Sequence, residues 1–138
     1  MDMNKGAGEK VLKVLYIEDN DQNFYLVDYI LRSSGYEVLR AHDGPEGLDL
    51  VTKYDADLIL LDIQLPGMDG YTIACELRKN PALSKTPIIA LTSYAMAEDR
   101  ERALRSGCTE HIEKPINPNT FKAQIEKVLE RSSEGEKR

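Results

Sequence analysis

Residues 58–61 (LILL) are four consecutive aliphatic positions, cut off by Asp62 and a loop, IQLPGMDG, whose proline and two glycines forbid regular structure. A strand that is apolar at every position needs cover on both faces, which implies a parallel sheet lying between helices. The same pattern recurs along the chain. Residues 11–17 (VLKVLYI) end at Glu18-Asp19-Asn20, residues 36–41 (YEVLRA) alternate, residues 87–91 (PIIAL) end at Thr92, and residues 110–113 (EHIE) end at Lys114-Pro115. Segments of helical period fill the gaps. Residues 21–34 place Phe24, Val27, Ile30 and Leu31 on one face, with Gly35 behind them. Asp43-Gly44-Pro45 opens a helix carrying Leu48, Val51 and Tyr54. Residues 71–79 repeat the pattern through Ile73, Ala74 and Leu77 before Asn80-Pro81. Residues 96–106 form a charged helix with Ala103 and Leu104 inward and Gly107 after it, and residues 118–131 bury Phe121, Ile125, Val128 and Leu129.

Five strands alternating with five helices predict an α/β domain: a doubly wound five-stranded parallel sheet, order 2-1-3-4-5, with helices on both faces, the flavodoxin-like arrangement. With 138 residues the chain has room for one domain, predicted over 11–131 between flexible ends at 1–10 and 132–138, both polar and small. The net charge of -6 argues against direct nucleic-acid binding, which needs a basic face. No apolar stretch reaches membrane-spanning length and the N-terminus lacks a signal-peptide core, so a cytoplasmic location without membrane contact is expected. Cys75 and Cys108 have no metal-type spacing and read as buried or half-buried thiols.

In such a sheet the ends of the strands converge on one crevice at the switch point between the first and third strands. That gathers Glu18, Asp19 and Asp62, with Thr92 and Lys114 arriving from the far side of Asp62. Three carboxylates this close repel one another unless a cation intervenes, and a hard divalent ion, Mg²⁺ or Mn²⁺, suits a few carboxylates plus phosphate oxygens. A hydroxyl and an ammonium can each bond one oxygen of a phosphoryl group, leaving Asp62 as a nucleophile toward phosphorus. The competing reading is a solvated acidic rim, with Thr92 as a strand-end cap and Lys114 as a surface charge. The acids cap apolar runs and do not lie on helix faces, which favours the site.

The segments IEDN (17–20), LILLDIQLPGMDG (58–70), IIALTSYAM (88–96) and EKP (113–115), in this order between Lys13 and Leu129, resemble bacterial response-regulator receiver domains, the CheY-like family. The resemblance implies that Asp62 is the phosphoacceptor, taking its phosphoryl group from a phosphohistidine on a histidine kinase or histidine phosphotransfer protein. It makes Asp19 a direct Mg²⁺ ligand, Glu18 the holder of metal-bound water, and the main-chain carbonyl of Gln64 a further ligand. Thr92 becomes the switch hydroxyl and Lys114 the phosphate-binding lysine, with Lys114-Pro115 commonly cis. The switch partner of Thr92 would be His111, where the family more often has tyrosine or phenylalanine, so the position can also respond to pH. Ser93 replaces the usual alanine with little expected effect, and Gln64 and Tyr94 stand where acyl-phosphate lifetime is tuned.

The output implied is a binding event with a downstream protein through the fourth helix, fifth strand and fifth helix, a face that can also take a second copy as a homodimer. Such a protein is a phosphoacceptor, not an enzyme in the usual sense, catalysing only its own phosphoryl transfer and slow autodephosphorylation. EDNDQN (18–23) and SYAM (93–96) resemble stand-alone cell-cycle or phosphorelay regulators and the receivers of hybrid histidine kinases, and a receiver excised from such a kinase is the alternative. Phosphohydrolases of the haloacid dehalogenase type fit less well, because Gln64 stands where they carry a second aspartate. An FMN-binding flavodoxin fits less again, because three carboxylates would repel the FMN phosphate.

Overall fold

The structure, a computed structural model, describes residues 11–94 and 96–136. Five strands, β1 (Lys13–Ile17), β2 (Glu37–Ala41), β3 (Leu58–Asp62), β4 (Ile88–Thr92) and β5 (Glu110–Glu113), form one sheet in the order β2-β1-β3-β4-β5. Every pairing is parallel, as the predicted fold class requires. The intervening helices are α1 (Asp21–Ser33), α2 (Gly44–Val51), α3 (Gly70–Arg78), α4 (Ala97–Arg105) and α5 (Phe121–Glu136).

The two-residue period of the strands sorts the core into two layers. Leu15, Ile17, Ile59, Leu61, Ile88 and Ala90 pack with Ile73, Ala74 and Leu77 of α3 and Ala103 of α4. Val14, Tyr16, Leu58, Leu60, Ile89 and Leu91 point to the other side, against Phe24, Val27 and Leu31 of α1 and Phe121, Ile125 and Val128 of α5. β3 and β4 are buried at every position, which is why they read as unbroken apolar runs.

Several boundaries differ from the sequence reading. β1 begins at Lys13, although the Leu12 carbonyl still accepts the Glu37 amide at 2.9 Å. α2 stops at Val51, before Tyr54, because the Lys53 and Tyr54 amides both turn back onto the Leu50 carbonyl. Tyr54 then reaches β2 through its hydroxyl, 3.0 Å from Glu37 Oε2. A short 3₁₀ turn, Pro81–Leu83, follows α3, capped by the Asn80 side chain and buried through Leu83. Leu104 does not face inward: once Ala103 takes the core-facing position, the next residue lies about 100° around the helix and is exposed. α5 continues to Glu136, past residue 131, since nothing between 132 and 136 other than Gly135 opposes a helix. The N-terminal segment 1–10, expected to be frayed, lies outside the described residues.

Candidate functional site

The chain leaves β1 at Glu18 and re-enters helix at Asp21, where Asn20 caps α1 by accepting the Asn23 amide at 2.9 Å. Glu18 is fully buried. Its Oε1 accepts the Tyr16 hydroxyl at 2.9 Å, its Oε2 the Asn20 amide at 3.2 Å, and its own amide donates to the Ala41 carbonyl. Burial, together with the neighbouring Asp62, pushes the Glu18 carboxyl up to about 7, against the opposing pull of Lys114 and the Tyr16 hydroxyl.

Asp62 ends β3 and is 3% exposed. Its Oδ1 accepts the Gln64 amide at 3.0 Å and lies 3.2 Å from Lys114 Nζ, which stands 3.6 Å from Glu18 Oε1. The loop after Asp62 turns through Gly67 at φ +82° and brings Gly70 so close that a Cβ there would lie 2.5 Å from the Ile63 Cα and 2.9 Å from the Asp62 carbonyl. The glycines singled out by sequence thus let α3 start against the phosphoacceptor candidate.

β4 and β5 deliver the remaining groups. Thr92 is fully buried, and its Oγ1 accepts the Tyr94 amide at 3.0 Å. The Lys114 amide donates to the Thr92 carbonyl at 2.8 Å, and the Lys114-Pro115 bond is cis. Gln64 Oε1 accepts the Ser93 amide at 2.8 Å, bridging the loops after β3 and β4. His111 is half-buried with Nε2 3.2 Å from the Tyr94 carbonyl, so it touches the loop that follows Thr92.

Asp19, Asn20, Asn23, Asp62, Gln64, Ser93, Lys114 and Pro115 line an open crevice of about 690 Å³. One ligand oxygen from each of Glu18, Asp19 and Asp62 falls within 4.8 Å of the others. Three carboxylates facing a single ammonium leave negative charge in excess, and all-oxygen donors fit a hard divalent ion. Glu18, Asp19, Asp62 and Lys114 of the predicted constellation therefore meet in one place. Thr92 adjoins them through its main-chain carbonyl, which accepts the Lys114 amide, while its buried hydroxyl is engaged with the Tyr94 amide and it is not among the residues lining the crevice. Sequence reasoning missed Tyr16 and Arg40. Tyr16 lies two residues before Glu18 and Arg40 directly before Ala41, and both were absorbed into strand patterns that say nothing of a polar tip.

Comparison with known proteins decides the family. The response regulator receiver domain profile matches residues 14–126, most of the chain. The chain belongs to this family. The receiver is 40% identical over 116 residues to the polar-differentiation response regulator DivK of Brucella ovis, covering 84% of this chain and 94% of that protein. Its fold is similar to that of the chemotaxis response regulator CheY4 of Vibrio cholerae, with TM-score 0.83 and 31% identity over 86% of this receiver and 99% of that chain. It is also similar to the receiver domain of a Pseudomonas aeruginosa sensor histidine kinase solved with magnesium coordinated in its active-site cleft, with TM-score 0.76 and 34% identity over 88% and 97% of the two chains. Among the described residues no helix is long and apolar enough to cross a membrane.

Proposed function

We propose that this receiver accepts a phosphoryl group on Asp62 from a phosphohistidine of a histidine kinase or histidine phosphotransfer protein, in a reaction that needs Mg²⁺ or Mn²⁺, and that the product changes a protein-binding face. The observation that carries this reading is Lys114 Nζ at 3.2 Å from Asp62 Oδ1, at the edge of a crevice open to solvent. An Asp62 oxygen attacks phosphorus, the P–N bond to the donor imidazole breaks, and a P–O bond to the aspartate forms. Lys114 is placed to bond one phosphoryl oxygen, and the Thr92 hydroxyl to take another once it releases the Tyr94 amide. The cation, when bound by Asp19, Asp62 and the Gln64 carbonyl with Glu18 behind, supplies the charge that offsets the phosphoryl oxygens.

Thr92 and His111 form the proposed relay, since both bond the backbone of Tyr94. Movement of Thr92 toward the phosphoryl group frees the loop that His111 holds, and α4, β5 and α5 re-form their face for a downstream protein or a second copy. The likeness to DivK over nearly its whole length supports a role as a phosphorelay or differentiation regulator of the cytoplasm. The 34% identity to a histidine kinase receiver supports the alternative of a receiver belonging to a longer kinase.

Intact mass after incubation with acetyl phosphate tests the core of this reading. One phosphoryl adduct is expected with Mg²⁺, none with chelator, and none in Asp62→Asn. Absence of an adduct with both acetyl phosphate and a phosphorylated histidine donor would refute it. If His111→Phe binds its partner with unchanged dependence on phosphorylation and pH, the relay through His111 is wrong.

A further inference from the structure

The guanidinium of Arg40 is the most unusual buried group outside the constellation. Arg40 stands on the edge strand β2, in register with Tyr16 of β1, and its side chain is only 12% exposed. Its Nε donates to the main-chain carbonyl of Glu18 at 3.1 Å, and its Nη1 pairs with Asp21 Oδ1 at 2.9 Å. The two tines therefore grip both ends of the loop that carries Asp19. Arg40 Cζ lies over the Phe24 ring, 4.6 Å from its centre, Phe24 stacks on Tyr16 with ring centres 5.6 Å apart, and the Tyr16 hydroxyl holds the Glu18 carboxylate. Contacts run in a closed circuit from Arg40 through Phe24 and Tyr16 to the side chain of Glu18 and back through its carbonyl.

Stability alone does not explain this arrangement. Arg40 Nη2 is buried without a hydrogen-bond partner among the described residues, a cost that an apolar residue on β2 would avoid. A fixed positive charge bonded to the main-chain carbonyl of Glu18 should also repel a divalent cation bound nearby. What the fork provides is geometry: a planar, rigid group that bonds a carbonyl and a carboxylate at once, which lysine cannot reproduce. We infer that Arg40 is a positioning residue for the divalent-cation site of Glu18, Asp19 and Asp62, holding the 18–21 loop in the shape that cation binding requires. The inference rests on the metal-dependent reading of the crevice proposed above.

The two roles of the guanidinium predict opposite signs, which makes the test decisive. Mg²⁺ affinity of the full chain, stripped of metal, is measured by titration calorimetry at fixed ionic strength for wild type, Arg40→Gln and Arg40→Lys, with circular dichroism to check folding. Positioning predicts that both variants bind Mg²⁺ more weakly, by about tenfold, the size usual for residues that orient metal ligands. If the group acts only as a nearby charge, Arg40→Gln binds Mg²⁺ more tightly and Arg40→Lys is unchanged, and the inference is overturned. Equal affinity in all three proteins overturns it as well. Arg40→Lys keeps the charge and most of the stem, so it carries the test alone should Arg40→Gln fail to fold. Wild-type protein that binds no Mg²⁺ would sink the metal-dependent reading of the crevice itself, whereas wild-type binding with unaltered variants removes only the role of Arg40.

Discussion

The helices that follow the two loops bearing Asp19 and Thr92, α1 and α4, are fastened by different physics. α1 buries Phe24, Val27, Ile30 and Leu31 against the sheet. α4 buries Ala103 alone, and six of its nine residues are charged. It is held by polar contacts: Arg102 lies 4.1 Å from the Tyr71 ring centre, Arg100 reaches Glu110 of β5 at 3.1 Å, and Arg131 of α5 grips the other oxygen of the same carboxylate at 3.1 Å. Apolar burial is insensitive to salt and hard to rearrange by small steps, whereas partly exposed ion pairs are individually weak and exchange partners at little cost. The acid loop thus leads into a firm wall, α1, and the loop after Thr92 into a loosely held one, α4. On the proposed reaction, a phosphoryl group on Asp62 is expected to leave the first in place and re-set the second.

The largest break in this comparison should come from the core of α1. Phe24→Ala removes a ring that packs on Tyr16 and beneath Arg40, and is expected to cost about 3–5 kcal/mol in urea unfolding. Leu104→Ala on the exposed side of α4 is expected to change stability by less than about 0.5 kcal/mol. Equal losses would mean that α4 is as firmly seated as α1.

Next in size is the electrostatic cost built into the firm wall. The Glu18 carboxyl is raised from its ordinary 4.5 to about 7, chiefly by burial. A carboxyl raised on folding contributes stability that is fully present below the unfolded value and is lost as pH rises through the folded one. The thermal midpoint of the metal-free protein should therefore fall between pH 5.5 and pH 8. Added Mg²⁺ should restore more at pH 8 than at pH 5.5, because the cation needs the carboxylates ionised. Glu18→Gln should flatten the profile, and a metal-free midpoint that does not move over this range in wild type would count against the raised value.

A smaller effect is expected at the loose wall. Burial raises the Glu110 carboxyl, but the His111 amide, Arg131 and Arg100 together outweigh it and hold the group below its ordinary value. Its contribution is present above the unfolded value and disappears as pH falls through the lower, folded one. Glu110→Gln should cost about 0.5–1 kcal/mol at low salt and less at high salt, with faster amide exchange confined to α4 and β5. An equal rise in α1 would erase the distinction between the walls.

Most of this architecture is legible in the chain because β3 and β4 are apolar throughout and each ends on a chemically distinctive residue. Knowing that Leu58–Asp62 and Ile88–Thr92 are neighbouring parallel strands suffices to bring Asp62 and Thr92 together, and the same logic places Glu18, Asp19 and Lys114. Arg40 was not legible as part of the site. Its side chain leaves an edge strand and acts on a carbonyl, and no sequence pattern marks a carbonyl as a target. The exposure of Leu104 and the early end of α2 escaped for a related reason: a short helix with few apolar residues leaves its rotation and its last turn to be set by tertiary contacts.

The finest test of the two walls uses the cysteines. Cys75, read from the sequence as a buried or half-buried thiol, is instead exposed on α3, while Cys108 is buried as expected just past α4, where its amide donates to the Ala103 carbonyl at 3.0 Å, and burial pushes its thiol up to about 12. A thiol-alkylating reagent at pH 8 should therefore label Cys75 promptly and Cys108 only through opening of the structure around it. If the loose wall opens by itself, Arg100→Ala should speed Cys108 labelling by about threefold to fivefold, the equivalent of losing one partly exposed ion pair. Phe24→Ala, although far more destabilising, would then speed it only when whole-molecule unfolding becomes the easier route. Labelling that instead follows global stability across both variants would show that α4 leaves the sheet only when α1 does, and that the two walls move as one.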